Sequence, residues 1–277
     1  MEDLEAAVEL FEAAFIEPGE VFSDAQGARV RNRFASALET DPDGAWVAAD
    51  GDDGGRPVGI GIALRRDGLW ILSMLAVDPR RHGGGYGREL LRRTLDYADG
   101  CRGLMLCAST HPAALRVYAS HGFSLLPSLA AVGEVERTRL PPPASGVREG
   151  TIDDLELCAA VDRAVRGGER TVDLQMLMAN RTRLFVSERP RGYALLADGR
   201  CYGLAAEDEA TARALLWTLM AEGAEAERMR IDWITAPQQW AVQVAIAAGL
   251  GLETDGPVCV RGETGPLRPW LPNGALL

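Results

Sequence analysis

The sequence contains no lysine, since all 29 of its basic residues are arginine. This absence excludes a Walker A phosphate loop, whose pattern GxxxxGK followed by Ser or Thr needs a lysine to reach the terminal phosphates. Histidine is also scarce, with three residues, and neither the histidines nor the five cysteines have the spacing of metal ligands. We therefore expect no bound metal.

Long apolar runs and a basic leader are missing as well. No apolar run reaches the roughly 18 residues that span a bilayer. Residues 1–5 (Met-Glu-Asp-Leu-Glu) are acidic, unlike the start of a signal peptide. The cysteines form no CxxC pair and are odd in number, which indicates small buried thiols in a reducing compartment. These features predict a cytoplasmic protein without a membrane segment.

The sequence has fewer basic than acidic residues, 29 against 40, and its formal net charge is −11. Binding to nucleic acid requires a positive face that neutralises phosphates, so we expect no nucleic-acid partner. An acidic surface attracts a cationic substrate such as an amine, although only weakly at physiological salt.

What the sequence does contain is a regular alternation of helix and strand patterns. The chain is long enough for two domains of ordinary size. Glycine-containing turns at 52–55 and 66–68 separate the first strand-like runs. The order of elements predicts a mixed α/β fold (α+β layered), with helices flanking a mixed central sheet. The predicted helices are 3–15, 23–38, 86–98 and 112–120, and the predicted strands are Ala45–Ala49, Val58–Leu64, Leu69–Val77 and Leu104–Cys107.

One proline-rich stretch, residues 140–145 (Leu-Pro-Pro-Pro-Ala-Ser), reads as a stiff linker. We therefore predict an N-terminal domain over 1–138, a linker over 139–146 and a C-terminal domain over 147–277. The second half repeats the first in outline, since a strand at 229–234 is again followed by a helix that stops at a glycine, Gly249. The repeat predicts two copies of one fold.

The most informative segment is a glycine-rich loop between a strand and a helix. The strand ends at Val77, a Pro-containing turn follows, and four glycines in five positions (83–87) lead into the helix. Glycines allow a ligand to approach the main chain, and a helix start offers unpaired N–H donors and a partial positive charge. This combination predicts an anion site sized for phosphate, to which Arg80, Arg81 or Arg88 can add contacts.

The spacing of the loop decides which phosphate ligand it suits. The Rossmann pattern GxGxxG fails, because Arg88 follows Gly83 and Gly85 where the third glycine is required. The segment from His82 to Gly87 instead resembles the pyrophosphate loop of the GNAT superfamily of acyl-CoA-dependent N-acyltransferases, Gln/Arg-x-x-Gly-x-Gly/Ala, with His82 in the Gln/Arg place. Residues 75–79 resemble the family's fourth strand.

A second motif agrees with the first. Residues 110–123 (Thr-His-Pro-Ala-Ala-Leu-Arg-Val-Tyr-Ala-Ser-His-Gly-Phe) are similar to the family segment Asn-Pro-x-Ala-x-x-x-Tyr-x-x-x-Gly-Phe, with His111 in the place of Asn. The resemblance covers residues 1–135, and in overall plan the whole chain looks like a tandem GNAT protein. One departure is the family's first strand, which is absent before the first helix. Residues 270–277 are a candidate to supply it.

The resemblance implies direct transfer of an acetyl group from acetyl-CoA to an amine. It implies that Tyr118 is the general acid for the leaving thiolate, although Tyr118 could instead pack its ring beneath the sheet. No carboxylate stands in the middle of the strand (Trp70–Met74) to act as the base, so a water relay, Asp67 and Glu20 remain open. The residues that the resemblance places against acetyl-CoA are Leu75, Ala76, Val77, His82, Gly83, Gly84, Gly85, Tyr86, Gly87 and Arg88.

The second half lacks both motifs. Its corresponding turn has three consecutive acids, Glu207 to Glu209, which would cap the helix and repel a pyrophosphate, and no tyrosine lies within 238–249. We therefore interpret this copy as degenerate. The expected activity is acetylation of a small-molecule amine by a monomer or homodimer. A protein or peptide N-acetyltransferase and a non-catalytic acyl-CoA sensor remain the alternatives.

Overall fold

The computed structural model describes residues 2–16, 22–50 and 55–277 of the chain. Two compact units are distinguished within it. The first comprises the described residues of 1–65 and 70–101, and the second comprises 66–69 and 102–277. Each unit is described by itself.

The first unit has three helices and most of three strands among its described residues. The strands follow one another in the order β1-β2-β3, and β1 pairs with β2 in antiparallel fashion. The sequence-based prediction of these elements is confirmed to within a few residues at each end, except for the turn at 52–55, of which residues 52–54 lie outside the described residues. The elements are α1 (Glu2–Phe15), α2 (Asp24–Thr40), β1 (Ala45–Ala49), β2 (Pro57–Arg66), β3 (Leu69–Val77) and α3 (Tyr86–Asp96).

Local sequence signals explain where these elements start and how closely they pack. Ser23 begins α2 with a capping box, in which its side chain accepts the N–H of Gln26 and the Gln26 side chain accepts the N–H of Ser23. Helix α3 lies against β2 at two glycines. A Cβ at Gly59 would stand 2.9 Å from Leu90 Cδ1, and one at Gly61 would stand 3.0 Å from Thr94 Cγ2. The two glycines therefore set the close approach of helix and strand.

The second unit contains the remaining elements. Its strands have the order β4-β11-β5-β10-β9-β8-β7-β6, with β12 on β9. The pair β9–β10 is parallel. The antiparallel pairs are β4–β11, β11–β5, β5–β10, β9–β8, β8–β7, β7–β6 and β12–β9. The elements are β4 (Gly103–Cys107), α4 (Pro112–Ser120), β5 (Ser124–Gly133), β6 (Val147–Glu149), α5 (Leu155–Val165), α6 (Thr171–Ala179), β7 (Arg183–Glu188), β8 (Arg191–Ala197), β9 (Arg200–Ala206), α7 (Glu209–Glu222), β10 (Met229–Thr235), α8 (Gln239–Ala247), β11 (Gly251–Gly262) and β12 (Trp270–Leu271).

Two similar segments of the second unit exchange their last strands. The segment β4-α4-β5 and the segment β10-α8-β11 each run strand, helix, long strand. Yet β11 pairs with β4 and β5, while β5 pairs with β11 and β10. Each long strand thus hydrogen-bonds to the other segment rather than to the strand that precedes its own helix. The exchange joins the two segments in one sheet.

The structure corrects the proposed origin of the family's first strand. Residues 270–277 do not supply it, because Trp270 and Leu271 form β12, which pairs with Ala205 and Leu204 of β9 in the second unit. The hydrogen bond from the Ala206 N–H to the Pro269 carbonyl extends this pairing. The apolar side chains at this end favour burial over an exposed edge, since Trp270 and Leu271 are each 1% exposed.

A buried polar network lies beside the same segment. Arg170 is 3.3 Å from the Asp162 carboxylate and donates to the Tyr193 hydroxyl, which in turn donates to Asp162. Arg166 donates to the Leu277 carbonyl. Buried charges are tolerated when they are paired and hydrogen-bonded, so this network fixes residues 276–277 in the interior of the second unit.

The chain therefore has the predicted mixed α/β fold, with a mixed central sheet flanked by helices. None of the described helices is long and apolar enough to cross a membrane.

Candidate active site

The glycine-rich loop forms a strand-to-helix connection in the first unit. After β3 ends at Val77, Asp78 accepts the N–H of Arg80 and starts a short 3-10 turn, Pro79–Arg81. The chain then reaches Gly85, which occupies the N-cap of α3 with a φ of 84°. Gly83 also has a positive φ, of 87°. Both positions favour glycine because a Cβ strains this region of backbone conformation.

The outer side of the loop is open. A Cβ at Gly83 or Gly85 would meet no atom of a described residue within 4 Å. At Gly87 it would make an ordinary contact of 3.6 Å with the Val77 side chain, and at Gly84 it would stand 3.0 Å from the Tyr86 ring. A ligand can therefore approach the main chain at Gly83 and Gly85.

The helix start next to this opening carries uncompensated positive character. Gly85 provides no side-chain cap, and the N–H of Glu89 is the first to bond to the carbonyl four residues earlier. The N–H groups of residues 86–88 belong to the first turn, where no intrahelical acceptor exists. These donors and the helix dipole fit a phosphate group.

The three arginines near the loop differ in what they contact. Arg80 pairs with Asp78 at 2.6 Å and lowers the pKa of that carboxyl to about 2, and Arg81 pairs with Asp50 at 3.0 Å. Arg88 is exposed on the first turn of α3 and forms no ion pair with any described residue. Arg88 is thus the arginine best placed to meet a phosphate, as the loop resemblance implied.

His82 links the loop to the strand before it. Its Nε2 lies 3.2 Å from the Val77 carbonyl, so the ring folds back on the end of β3. Leu75, Ala76 and Val77 form that end, with Ala76 buried. The predicted donor-site residues from 75 to 88 are therefore contiguous in the first unit. Their contacts with acetyl-CoA stay predictions.

One side chain of β3 stands out in the stretch where no base was found. Ser73 is 4% exposed, and its hydroxyl has no hydrogen-bond partner among the described residues. A buried hydroxyl without a partner calls for a water, a ligand or a strained state. No sequence pattern singles out this hydroxyl, since a serine in an apolar strand is ordinary.

Tyr118 lies on α4, in the second unit. It is 6% exposed, and its ring meets that of Phe123 edge to face with centroids 6.3 Å apart. Burial, followed by the nearby Cys259 thiol, raises the pKa of Tyr118, so the hydroxyl stays protonated at neutral pH. The hydroxyl makes no hydrogen bond to a described residue. Its role as general acid stays a prediction.

The other histidines occupy helix ends. His111 is the N-cap of α4 without a side-chain cap bond. His121 is the C-cap of the same helix, and its Nδ1 lies 2.8 Å from the Val117 carbonyl. Both histidines thus lie at the ends of α4. No group of His, Cys, Asp and Glu within the described ranges could hold a metal ion.

Of the two carboxylates considered as a base, one is engaged and one is not described. Asp67 accepts the N–H of Glu169 at 3.3 Å and stands 3.7 Å from Arg163. Glu20 lies outside the described residues.

The acidic turn of the second half closes its own helix start. Asp208 is the N-cap of α7 and accepts the N–H of Thr211 at 2.8 Å, while Glu207 pairs with Arg191. Near this turn, β9 pairs in parallel with β10 at Arg200 and Arg230. Strand β12 pairs with β9 further along the strand, at Leu204 and Ala205. The N–H of Thr211 in the first turn of α7 is thus satisfied by a side chain, whereas no side chain caps α3.

Comparison with known proteins points to one family. Residues 4–123 match the sequence model of the acetyltransferase (GNAT) family. Comparison of the sequence with curated proteins found no match.

Solved structures resemble the chain over nearly its whole length. A protein of Pyrococcus horikoshii assigned as an acetyltransferase aligns over 99% of this chain and 89% of its own, with 21% identity and a TM-score of 0.77. A GCN5-related N-acetyltransferase from Sphaerobacter thermophilus aligns over 94% and 93%, with 17% identity and a TM-score of 0.58. A tandem GNAT protein from the clavulanic acid biosynthesis pathway aligns over 94% and 95%, with 14% identity and a TM-score of 0.58. At these identities the likeness concerns the fold alone.

Residues 4–123 thus resemble the acetyltransferase (GNAT) family, and the chain has the fold of the GNAT structures to which it is similar.

Proposed function

We propose that this protein is an acetyl-CoA-dependent N-acetyltransferase that acetylates an amine of a small molecule. The observation that carries the proposal is the open start of α3, where Gly83 and Gly85 leave free space beside N–H donors and Arg88. The family match over residues 4–123 supports acetyl-CoA as the anion that this start receives.

The proposed chemistry divides between binding and proton transfer. The loop N–H groups and Arg88 bind the pyrophosphate, and the main chain of residues 75–77 hydrogen-bonds the pantetheine arm. Acetyl-CoA supplies the thioester that the amine attacks. Tyr118 donates a proton to the departing thiolate, and its raised pKa keeps that proton in place until the thiolate forms.

We further propose that the chain is a tandem of two GNAT copies, over 1–138 and 147–277, joined by the linker 139–146. The repeated strand–helix–strand segments that exchange β5 and β11 support this arrangement. In this proposal only the first copy binds acetyl-CoA, because the acids at 207–209 repel a pyrophosphate and Asp208 caps the start of α7.

The acceptor is a small amine rather than a protein in this proposal. The net charge of −11 favours a cationic substrate and disfavours acidic protein surfaces. We expect the protein to act in the cytoplasm, without nucleic acid, membrane or metal, as a monomer or homodimer.

A turnover screen tests the proposal. The protein is incubated with acetyl-CoA and a panel of polyamines, aminoglycoside-like compounds, amino-acid derivatives and peptides, and the released CoA thiol is measured together with the acetylated product. Acetylation of a small amine is the expected result. Acetylation of peptides alone would contradict the small-molecule acceptor, and CoA binding without turnover would indicate an acyl-CoA sensor.

A further inference from the structure

His82 lies at the junction between the end of β3 and the glycine-rich loop. It is the C-cap of the short 3-10 turn, and its main-chain N–H bonds to the Pro79 carbonyl. The next residue, Gly83, is the first position at which a ligand can approach the main chain. The ring of His82 is exposed. This side chain therefore borders the place where we propose that the pyrophosphate of acetyl-CoA binds.

The partner of one ring nitrogen determines where the proton of the neutral ring lies. His82 Nε2 is 3.2 Å from the Val77 carbonyl oxygen. A carbonyl oxygen only accepts hydrogen bonds, so Nε2 must carry the N–H that is donated to it. A neutral imidazole has a single N–H, and its other nitrogen is an acceptor. In the neutral ring of His82, Nδ1 is therefore an acceptor.

An acceptor at Nδ1 does not suit a phosphate ligand. Nδ1 is attached to Cγ, so it lies nearer than Nε2 to the main chain of His82, where the glycines begin. Phosphate oxygens are acceptors too and cannot bond to a lone pair. A protonated ring has an N–H at both nitrogens, one for the Val77 carbonyl and one for the ligand, and its positive charge strengthens the second bond. A phosphate held at this loop thus favours the charged ring over the neutral ring.

The charged neighbours of His82 differ from it in the pH range where they titrate. Imidazoles titrate near about pH 6.5. Arg80 lowers the pKa of the Asp78 carboxyl to about 2, and Arg92, with Arg93, lowers the pKa of the Glu89 carboxyl to about 2. Arginine side chains stay protonated. His82 is also the only histidine before residue 111. The charged and titratable groups around the loop, among the described residues, are Asp50, Asp78, Arg80, Arg81, Tyr86, Arg88 and Glu89.

We infer that His82 is a proton-linked ligand of the CoA phosphates, an inference that rests on the proposed function. Binding draws a proton from the buffer onto Nδ1, where a new N–H forms and is donated to a phosphate oxygen. The buffer acid loses that proton, and the Nε2–H stays on the Val77 carbonyl. The charged ring then joins the end of β3, which we propose to hold the pantetheine arm, to the bound phosphate. Acetyl-CoA therefore binds more tightly as the pH falls through the imidazole range.

Calorimetric titration of the full chain tests the inference. Titrations with CoA in two buffers of different ionisation enthalpy give the number of protons taken up per CoA, and a series from about pH 5.5 to 8 covers the titration of imidazole. The same series is run with 3′-dephospho-CoA. That ligand lacks the phosphate monoester, which itself titrates near about pH 6 and would add protons of its own.

Three variants separate the proton from the hydrogen bond. His82→Gln keeps a neutral N–H donor that does not titrate, and His82→Arg keeps a permanent positive charge. His121→Gln is the matched control. The ring of His121 also contacts a main-chain carbonyl, with Nδ1 at 2.8 Å from the Val117 oxygen, but it stands at the C-cap of α4 and not on the loop. Thermal unfolding reports whether each variant is folded.

The wild type should take up a fraction of a proton per 3′-dephospho-CoA, with the maximum between about pH 6 and 7.5. Its affinity should be about fivefold higher at the low end of the pH series than at the high end, as one exposed charge pair allows. His82→Gln should bind at all pH values as the wild type does at high pH, and His82→Arg as the wild type does at low pH. Neither should take up protons. His121→Gln should behave like the wild type.

The outcomes separate this inference from the proposed function. A wild type that binds 3′-dephospho-CoA without proton uptake, or a His82→Gln variant that takes up as many protons as the wild type, would overturn the role of His82 and leave the acetyltransferase proposal standing. Loss of the uptake in His121→Gln would also overturn it. A wild-type protein that binds no CoA at any pH would overturn both.

Discussion

Two of the glycines between His82 and Arg88 are required by backbone geometry, and the other two are not. Gly83 and Gly85 have φ values of 87° and 84°, whereas Gly84 and Gly87 lie in conformations open to other residues. The family pattern allows alanine at the place of Gly87, and the 3.6 Å contact that a Cβ would make there explains why. Gly83 and Gly85 are therefore needed for the backbone conformation of the loop, whereas Gly84 and Gly87 only have to be small residues.

Gly85→Glu tests the loop as a phosphate site. The substitution adds a like charge and a side chain where the pyrophosphate is proposed to bind. CoA affinity should fall by about tenfold or more, which corresponds to about 1.4 kcal/mol. Titration calorimetry with CoA measures the effect. Gly85→Ala has the same backbone strain without the charge and serves as control, and Gly87→Ala should bind like wild type. Unchanged binding in a folded Gly85→Glu variant would contradict the site.

Tyr118→Phe tests the proton donor. The hydroxyl bonds to no described residue, so its removal leaves the ring contact with Phe123 and the fold intact. If Tyr118 donates the proton, kcat should drop by about 10²-fold or more while CoA affinity hardly changes. Steady-state kinetics at saturating acetyl-CoA give the answer. A near-normal kcat would return Tyr118 to a packing role.

At the scale of elements, α3 and α7 begin in opposite ways. Helix α3 starts at a glycine without a side-chain cap, and α7 starts at Asp208, which accepts the Thr211 N–H. A helix start without a side-chain cap accepts a bound phosphate more readily than one that carries carboxylates. The difference follows from two short stretches of sequence, the glycines within 83–87 and the acids at 207–209, and the sequence alone predicts it.

Asp208→Ala should reveal the cap as a stability element. Losing an N-cap carboxylate costs about 0.5–2 kcal/mol of unfolding free energy. Urea denaturation followed by circular dichroism measures it. The control is Glu209→Gln, which removes an exposed pair with Arg213 at i,i+4, typically worth about 0.3–0.5 kcal/mol. A cap variant no less stable than the control would show that Thr211 finds another acceptor.

Periodicity and turn chemistry predicted the elements of the first unit because each depends on neighbours within a few residues. The helix over 86–96, for example, follows from its glycine start and its apolar face. The pairing of strands that are far apart in the sequence could not be predicted in this way. No pattern in the sequence indicates which strand residues 270–277 pair with. They were a candidate for the first strand of the first half, and this was wrong, because their pairing with β9 depends on which edges the folded sheet leaves free.

At the scale of the whole molecule, the repeat does not imply two acetyl-CoA sites. Asp208 caps the start of α7, and β12 takes the β9 edge beside its parallel neighbour β10. A pyrophosphate at residues 207–209 would meet like charge in a partly desolvated position, which is costly.

We therefore predict about one CoA bound per chain, because a phosphate-binding helix start needs free N–H donors and no competing anion, and three acids stand at the start of α7. Titration calorimetry gives the stoichiometry, and Gly85→Glu should abolish binding without leaving a weak second site. Two CoA molecules per chain would show that the acidic turn is not closed.

The sequence by itself determined the fold class, the loop, the position of Tyr118 and the closed character of the second helix start. Each of these is written in contiguous residues whose spacing or charge acts locally. Only the tertiary structure decided which arginine of the loop is unpaired, that Ser73 has an unpartnered hydroxyl, and that β11 stands between β4 and β5. The surroundings of Asp255 were decided in the same way. Its two N–H donors come from Trp233 and Gly256, and strand exchange and two β-bulges, which no local pattern encodes, bring these groups together.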